Sequence, residues 1–555
     1  VLASVLLFSN LDENVFWDDE AHTAIYAKNI LKAGYPTAWD GRNLAAYRSG
    51  LHLNSNFVNI KETWLQHYLV ASSFLIFGNT TFAARLPFVL FGLLCLALLP
   101  LLAKHLFNSY RLGLLASLLL ALNPNFLLFS RNCRYYSLCM LLTFLAIVAY
   151  KRLDAARIKS SLFLSVILAL LFFTHTLTFL AVFVGLSFML LVEQDRRHWR
   201  SFFISGFLAS FPCALWVVYA KTWKVSLYEI VRYAYPGFSL GKIIQEPLHD
   251  SMLDRVNLLA MTLRNINSLD FFPAIFLLPL FYWVLRSRKY QNDPPDPVDR
   301  LSNAYGPPLL QLLMFVVAYT AICAFTTPQL MGRSLAVETR YLAPLLPIFS
   351  LISAFVIRRI FLFNRPLAAI VLLLFVFSNV LSLKPFYDRG LNPDISLSKA
   401  IDTRLISYLR EVRSERTTSY EAAIELVEKH VQKDETVFFF PEYTILPHMF
   451  YQSEEIFFSS VVIPDGSSIW HATKSKLPAY ITQHPLKADW IMVFGKPTTG
   501  LTQVLQAGFV LQESADVYWD DTTRPEPEKH TFKQVIRFDK QSEGIRLWRA
   551  VKQDL

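Results

Sequence analysis

The chain has 555 residues, 54% of them hydrophobic and 15% aromatic, with a mean hydropathy of +0.35, which makes it too apolar for a soluble globular protein and too long for one packed core. Its formal net charge is +10, yet the basic residues lie in short loops between apolar runs rather than along one amphipathic face. That pattern excludes a nucleic-acid interface and points to membrane topology. Cys95, Cys133, Cys139, Cys213 and Cys323 all fall in or beside apolar runs, so neither a disulfide framework nor a cysteine zinc site is expected.

Residues 1–9 are apolar but too short to span, and read as the end of a first membrane helix whose beginning is missing. A spanning helix needs roughly 20 apolar residues. Runs near 81–104, 112–129, 135–150, 161–174, 176–192, 201–220, 271–285, 309–325, 341–357 and 366–383 are read as spans. With the truncated first helix they predict about eleven. Alternate junctions carry Lys104 and Arg111; Lys151, Arg152, Arg157 and Lys159; Arg196, Arg197 and Arg200; Arg286, Arg288 and Lys289; and Arg358, Arg359 and Arg365. These clusters belong at the cytoplasm. Parity then requires 161–192 to be two helices turning at Thr174, His175 and Thr176.

The opposite face receives a first loop of residues 10–80 with amphipathic helices, the turn at 130–134, His175, the stretches 221–270 and 326–340, and the tail from 384. The loop at 293–297 is rich in Pro and Asp and reads as flexible. In the tail, charged amphipathic stretches at 402–412 and 420–430 are followed by strand-like runs at Thr436–Phe440, Trp490–Phe494, 509–512 and Ile545–Ala550. The expected fold class is an all-α polytopic membrane domain over 1–385, in an inner or plasma membrane, followed by a small extracytoplasmic α/β domain over 386–555.

The first loop opens on Phe16, Trp17, Asp18, Asp19, Glu20, Ala21 and His22: three consecutive carboxylates and an imidazole. Such a cluster can supply a general base or hold a divalent cation, because neighbouring anions raise one another's pKa and attract positive charge. The alternative is the acidic first turn of a helix over 21–33. Arg131, Arg134, Arg333 and Arg340 break the positive-inside pattern by sitting at outer helix ends, where a charge near hydrocarbon usually has a partner or a function. Arginine matches phosphate bidentately, although outer-end arginines also snorkel to lipid headgroups.

The loop continues through Asn59, Ile60, Lys61, Glu62, Thr63, Trp64, Leu65, Gln66, His67, Tyr68 and Leu69, then Phe77 and Gly78, then Ala84, Arg85, Leu86 and Pro87. Further on come Ser130, Arg131, Asn132, Cys133, Arg134, Tyr135 and Tyr136, the Thr174 and His175 turn, and Thr339, Arg340, Tyr341, Leu342, Ala343 and Pro344. In order and spacing over 10–385 these resemble the ArnT-like and protein O-mannosyltransferase-like membrane glycosyltransferases of the GT-C class.

The resemblance implies a GT-C membrane domain, a donor sugar on a polyprenyl phosphate, an active site at the extracytoplasmic face, and a loop aspartate deprotonating an acceptor hydroxyl on a lipid, glycan or protein. Asp19 matches the catalytic position, with Glu20 its neighbour and Asp18 a second candidate. Arg134, Arg340, Arg131, Arg333 and Lys61 are assigned to the donor phosphate, and Tyr136, Tyr341, His175, Gln66 and His67 to substrate. Two positions depart from the pattern. Tyr136 stands where those branches carry a second acidic residue, and Glu62 where ArnT-like enzymes carry a lysine, with Lys61 one position earlier.

His22 and Glu62 are candidate metal ligands for Mg²⁺, Mn²⁺ or Zn²⁺, although the histidines have no metal-motif spacing and hydrogen-bonded structural roles are the alternative. The combined expectation is an inverting, polyprenyl-phosphate-sugar-dependent glycosyltransferase with membrane lipids, and no nucleic acid, as partners. A transporter or flippase of a lipid-linked substrate is the alternative; it would need ionisable residues in mid-membrane and repeat-related broken helices.

Overall fold

The structure, a computed structural model, describes residues 1–45, 53–60, 62–154, 157–191, 196–222, 252–268, 271–280, 297–326, 339–383, 386, 401, 404–413, 418–459, 476–482, 485–515 and 544–551. The chain divides into two compact units that do not follow chain order. The first unit comprises Val1–Ser9, Phe88–Val218 and Tyr235–Arg410; the second comprises Asn10–Pro87, Tyr219–Ala234 and Glu411–Leu555.

In chain order the longer helices are α1 (Leu2–Phe8), α2 (Asp18–Ala33), α3 (Leu65–Phe77), α4 (Thr81–Phe107), α5 (Tyr110–Ala121), α6 (Pro124–Arg131), α7 (Tyr136–Lys151), α8 (Ile158–Thr174), α9 (Thr176–Leu191) and α10 (Arg196–Thr222). They continue with α11 (Met252–Ser268), α12 (Pro297–Thr326), α13 (Leu346–Phe363), α14 (Arg365–Phe377), α15 (Arg404–Arg413), α16 (Ser419–His430), α17 (Ile445–Tyr451) and α18 (Thr499–Gly508).

Among the described residues four helices are long and apolar enough to cross a membrane: Thr81–Phe107, His198–Ala220, Pro308–Thr326 and Arg340–Phe363. A fifth arises if α5 and α6, bent by 71°, count as one span. This overturns the all-α domain of about eleven spans expected from hydropathy. The reason is length. The runs at 135–150, 161–174, 176–192 and 366–383 do form helices, but α7, α8, α9 and α14 have 16, 17, 16 and 13 residues. At ~1.5 Å per residue they reach ~20–26 Å, short of a ~30 Å hydrocarbon layer. The run at 1–9 yields only the seven residues of α1. The run at 112–129 is interrupted where the Asn123 side chain accepts from the Phe126 N–H and Pro124 opens α6, two signals for starting a new helix.

The break between α8 and α9 lies at His175, the position read from the sequence, with extended backbone (φ −160°, ψ 111°). Small residues let the helices of the first unit approach closely. A Cβ on Gly113 of α5 would lie 2.3 Å from the Pro100 Cα of α4, and one on Gly185 of α9 would lie 2.7 Å from the Phe315 ring of α12.

Among the described residues of the second unit, five strands, β1 (Thr436–Phe440), β2 (Phe457–Ser459), β3 (Trp490–Phe494), β4 (Phe509–Ala515) and β5 (Ile545–Ala550), make one sheet in the order β2-β1-β3-β5-β4. β1 runs parallel to β2 and β3, whereas β5 is antiparallel to β3 and β4. β3 is buried along its whole length, as expected of a central strand. Phe438, Ile491 and Val493 pack with Leu501 and Leu505 of α18. α16 begins with a reciprocal capping box between Thr418 and Glu421.

The first loop is built into this same unit. Asn43 acts as an added strand edge: its amide donates to the carbonyls of Ser453 (3.1 Å) and Ile456 (3.0 Å), and its oxygen accepts from the Phe458 N–H (2.8 Å). The Arg42 guanidinium pairs with Asp434 and lies 3.9 Å from the Phe457 ring centroid.

Candidate active site

The acidic motif forms the first turn of α2, with Trp17 in the capping position and Asp18, Asp19 and Glu20 all inside that turn. The helix-start and chemical readings therefore coincide, since the positive end of the helix dipole favours carboxylates there. The three are not equivalent. Glu20 is 2% exposed and bound on both oxygens by Arg85, with Nε to Oε1 and Nη2 to Oε2 both 2.9 Å. Arg85 Nη1 also donates to the carbonyls of Leu11 (2.8 Å) and Asn14 (3.1 Å). A buried bidentate pair of this kind fixes position. Asp18 and Asp19 are half-buried. Buried Tyr420, at the start of α16, lies within electrostatic reach of both; burial first, then Asp18, hold its phenol well above the ordinary value.

One turn further along α2, His22 and Tyr26 face the start of α3. The His22 and Tyr26 rings are 4.6 Å apart, and His67 lies 5.3 Å from Tyr26 and 6.0 Å from His22. His67 Nδ1 is 3.4 Å from the Thr23 carbonyl. Glu62 Oε2 lies 3.8 Å from His22 Nδ1, and burial followed by Glu62 raises the Tyr26 phenol well above its usual value. Gln66 is buried beside His67 at the start of α3. His22 and Glu62 offer two donors for a metal ion, and among the described residues no group of three or more His, Cys, Asp or Glu is placed to hold one.

The first unit gathers the basic and aromatic assignments. Tyr135 stacks on His175 (4.2 Å, 11°), and His175 stacks in turn on Tyr341 (5.7 Å, 12°). The Arg134 guanidinium lies 5.5 Å from the Tyr135 ring centroid and that of Arg340 lies 5.3 Å from the Tyr341 centroid. Tyr135 is within electrostatic reach of both arginines, and Tyr136 packs edge-on against it at 4.8 Å. His175 Nδ1 lies 3.3 Å from the Thr178 backbone nitrogen and 2.8 Å from the Thr178 hydroxyl oxygen, which fixes the ring at the start of α9. Three junctions distant in sequence thus build one cationic aromatic cluster suited to an anion.

Arg131 does something different: its Nη1 donates to the carbonyls of Leu6 (3.1 Å) and Leu7 (3.0 Å), capping the C-terminal end of α1. Lys61 and Arg333 lie outside the described residues. The sequence reading singled out neither Tyr420, Tyr451 nor Asn43, because none carries a motif. Arg85 belongs to the motif that opens α4, and its place one helical turn after Thr81 is the sequence signal of its role.

In fold, the helical first unit and the carboxylate-bearing loop built onto a mixed sheet are similar to solved structures of ArnT. The crystal structure of ArnT from Cupriavidus metallidurans bound to undecaprenyl phosphate aligns with 99% of this chain and 97% of its own, at a TM-score of 0.55 and 13% identity. The apo form of ArnT from the same organism covers 93% and 94%, at a TM-score of 0.53 and 13% identity. The family model described as dolichyl-phosphate-mannose-protein mannosyltransferase matches residues 61–219. Comparison with curated proteins finds no match.

Proposed function

We propose that the chain transfers a sugar from a polyprenyl-phosphate-linked donor to an acceptor hydroxyl of a lipid, glycan or protein, at the extracytoplasmic face of a cell membrane and with inversion at the anomeric carbon. The observation that carries this reading is the convergence of Arg134 and Arg340 on the single stack of Tyr135, His175 and Tyr341. Such a cluster offers fixed positive charge where a leaving phosphate gains its negative charge, and electrostatic stabilisation of that kind is usually the largest catalytic contribution. The similarity in fold to an ArnT that binds undecaprenyl phosphate supports the same donor chemistry.

In the proposed step Asp19 accepts the acceptor's hydroxyl proton. The acceptor oxygen attacks the anomeric carbon as its bond to the phosphate oxygen breaks, and polyprenyl phosphate departs with the electron pair. Asp18 is the alternative base, and Glu20, held by Arg85, keeps that turn in place. Arg333 and Lys61 are assigned to the phosphate, and Tyr136, Gln66 and His67 to substrate, whereas Arg131 is taken up by the end of α1. His22 and Glu62 are the residues that would hold a divalent cation, and adding EDTA tests for one.

The deciding experiment incubates the purified protein in liposomes with radiolabelled polyprenyl-phosphate sugars and membrane acceptors, comparing wild type with Asp19→Asn. Transfer that drops ~100-fold or more in the variant supports the reading, the scale expected for loss of a general base. Undiminished transfer by folded Asp19→Asn and Asp18→Asn removes the assigned chemistry. Labelled lipid crossing the bilayer without transfer replaces it with transport.

A further inference from the structure

The turn that carries Asp18 and Asp19 is held at both ends. At its far end Glu20 is bound bidentately by Arg85. At its near end the Phe16 N–H donates to the Tyr451 hydroxyl (3.2 Å), and that hydroxyl also shares a hydrogen bond with Thr81 Oγ1 (2.8 Å). Thr81 opens α4 and Arg85 lies four residues later, one helical turn along the same face. A closed ring results: Phe16, Tyr451, Thr81, one turn of α4, Arg85, Glu20, and back through the backbone. Asp18 and Asp19 occupy its shortest arc.

Packing supports the same link. Phe16, wholly buried, meets the Phe450 ring at 4.9 Å and the Tyr451 ring at 5.7 Å, and the preceding Val15 N–H donates to Glu421 Oε1 (3.3 Å). Burial pushes the Tyr451 phenol up to about 12, so the hydroxyl keeps its proton at physiological pH.

We propose that Tyr451, contributed by the C-terminal part of the chain, is a positioning residue for the proposed base: its hydroxyl closes the ring that orients the Asp18 and Asp19 carboxylates. This rests on the carboxylate reading of the proposed function. It makes the C-terminal segment a working part of the transfer site, since the second anchor of the acidic turn comes from α17.

The test uses the full chain. Tyr451→Phe deletes the hydroxyl and keeps the ring that packs on Phe16. The expected result is a fall in kcat of about tenfold with the KM for the lipid donor unchanged, since displacing a catalytic group costs rate rather than donor affinity. Thr81→Ala should give the same split, Thr81→Ser should retain wild-type kcat, and the double variant Thr81→Ala, Tyr451→Phe should lose no more than the larger single loss. Wild-type kcat in Tyr451→Phe overturns the proposal, as does a fall accompanied by an equal rise in donor KM. Thr81→Ala probes the same link should Tyr451→Phe not fold. If wild type transfers no sugar, the proposed function fails separately. Hydrogen exchange of a peptide spanning residues 10–20 then decides: faster exchange in Tyr451→Phe sustains the anchor, and unchanged exchange overturns it.

Discussion

Two buried side-chain arrangements set behaviour at the residue scale. Glu20 and Arg85 are a buried ion pair in which every carboxylate oxygen is bound. Removing one partner strands the other charge, so Arg85→Met should lower stability by about 3–5 kcal/mol. Glu20→Gln combined with Arg85→Met should recover part of that, as read by thermal unfolding in detergent; equal midpoints for wild type and Arg85→Met would count against it. His448 is fully buried against Phe439 (4.5 Å between ring centroids), with Nδ1 2.8 Å from Gln452 Oε1. Burial depresses its pKa from 6.5 to about 4. The unfolded chain therefore takes up a proton that the folded chain refuses. Stability should be complete above about pH 6.5 and fall toward pH 4, by an amount on the order of 3 kcal/mol. Melting between pH 7.5 and 4.5 should show this slope, and His448→Gln should flatten it.

At the scale of elements, close helix contacts depend on missing side chains. The Gly113 Cβ position is occupied by the Pro100 backbone, which cannot rotate away, whereas Gly500 at the start of α18 faces open space. Gly113→Ala should destabilise by about 1–3 kcal/mol through displacement of α5 from α4. Gly500→Ala should be neutral or stabilising by up to ~1 kcal/mol, because alanine is the better helix former. Comparing the two thermal midpoints checks both, and a Gly113→Ala midpoint equal to wild type contradicts so close an approach of α5 to α4.

On the whole-molecule scale, the unit holding the carboxylates is assembled from Asn10–Pro87, Tyr219–Ala234 and Glu411–Leu555 together. Asn43, Arg42, Val15 and Phe16 all find partners between Glu421 and Phe458. A chain ending at residue 385 should therefore lose order in the first loop, because those buried backbone and side-chain groups lose their partners. Limited proteolysis should cut residues 10–60 of the shortened chain and spare them in the full-length protein. Equal protection in both would show that the loop folds without the tail.

Local signals were legible in the sequence because they act over one helical turn or one strand. The acidic start of α2, the break at His175, the strands at Thr436–Phe440, Trp490–Phe494 and Ile545–Ala550, and the resemblance to GT-C membrane glycosyltransferases all came from residue order. Among the described residues hydropathy overcounted spans because it measures apolar composition, whereas crossing a membrane also requires unbroken length, and α7, α8, α9 and α14 stop short. Tertiary structure alone decided which charges hold the fold together. Glu20 and Arg131 looked like Asp19 and Arg134, but Arg85 and the end of α1 bind them. Arg134, His175 and Arg340 became one cluster only when three distant junctions met. Local sequence specifies backbone propensity, but the partner of a side chain more than a hundred residues away is set by packing, which no single segment encodes.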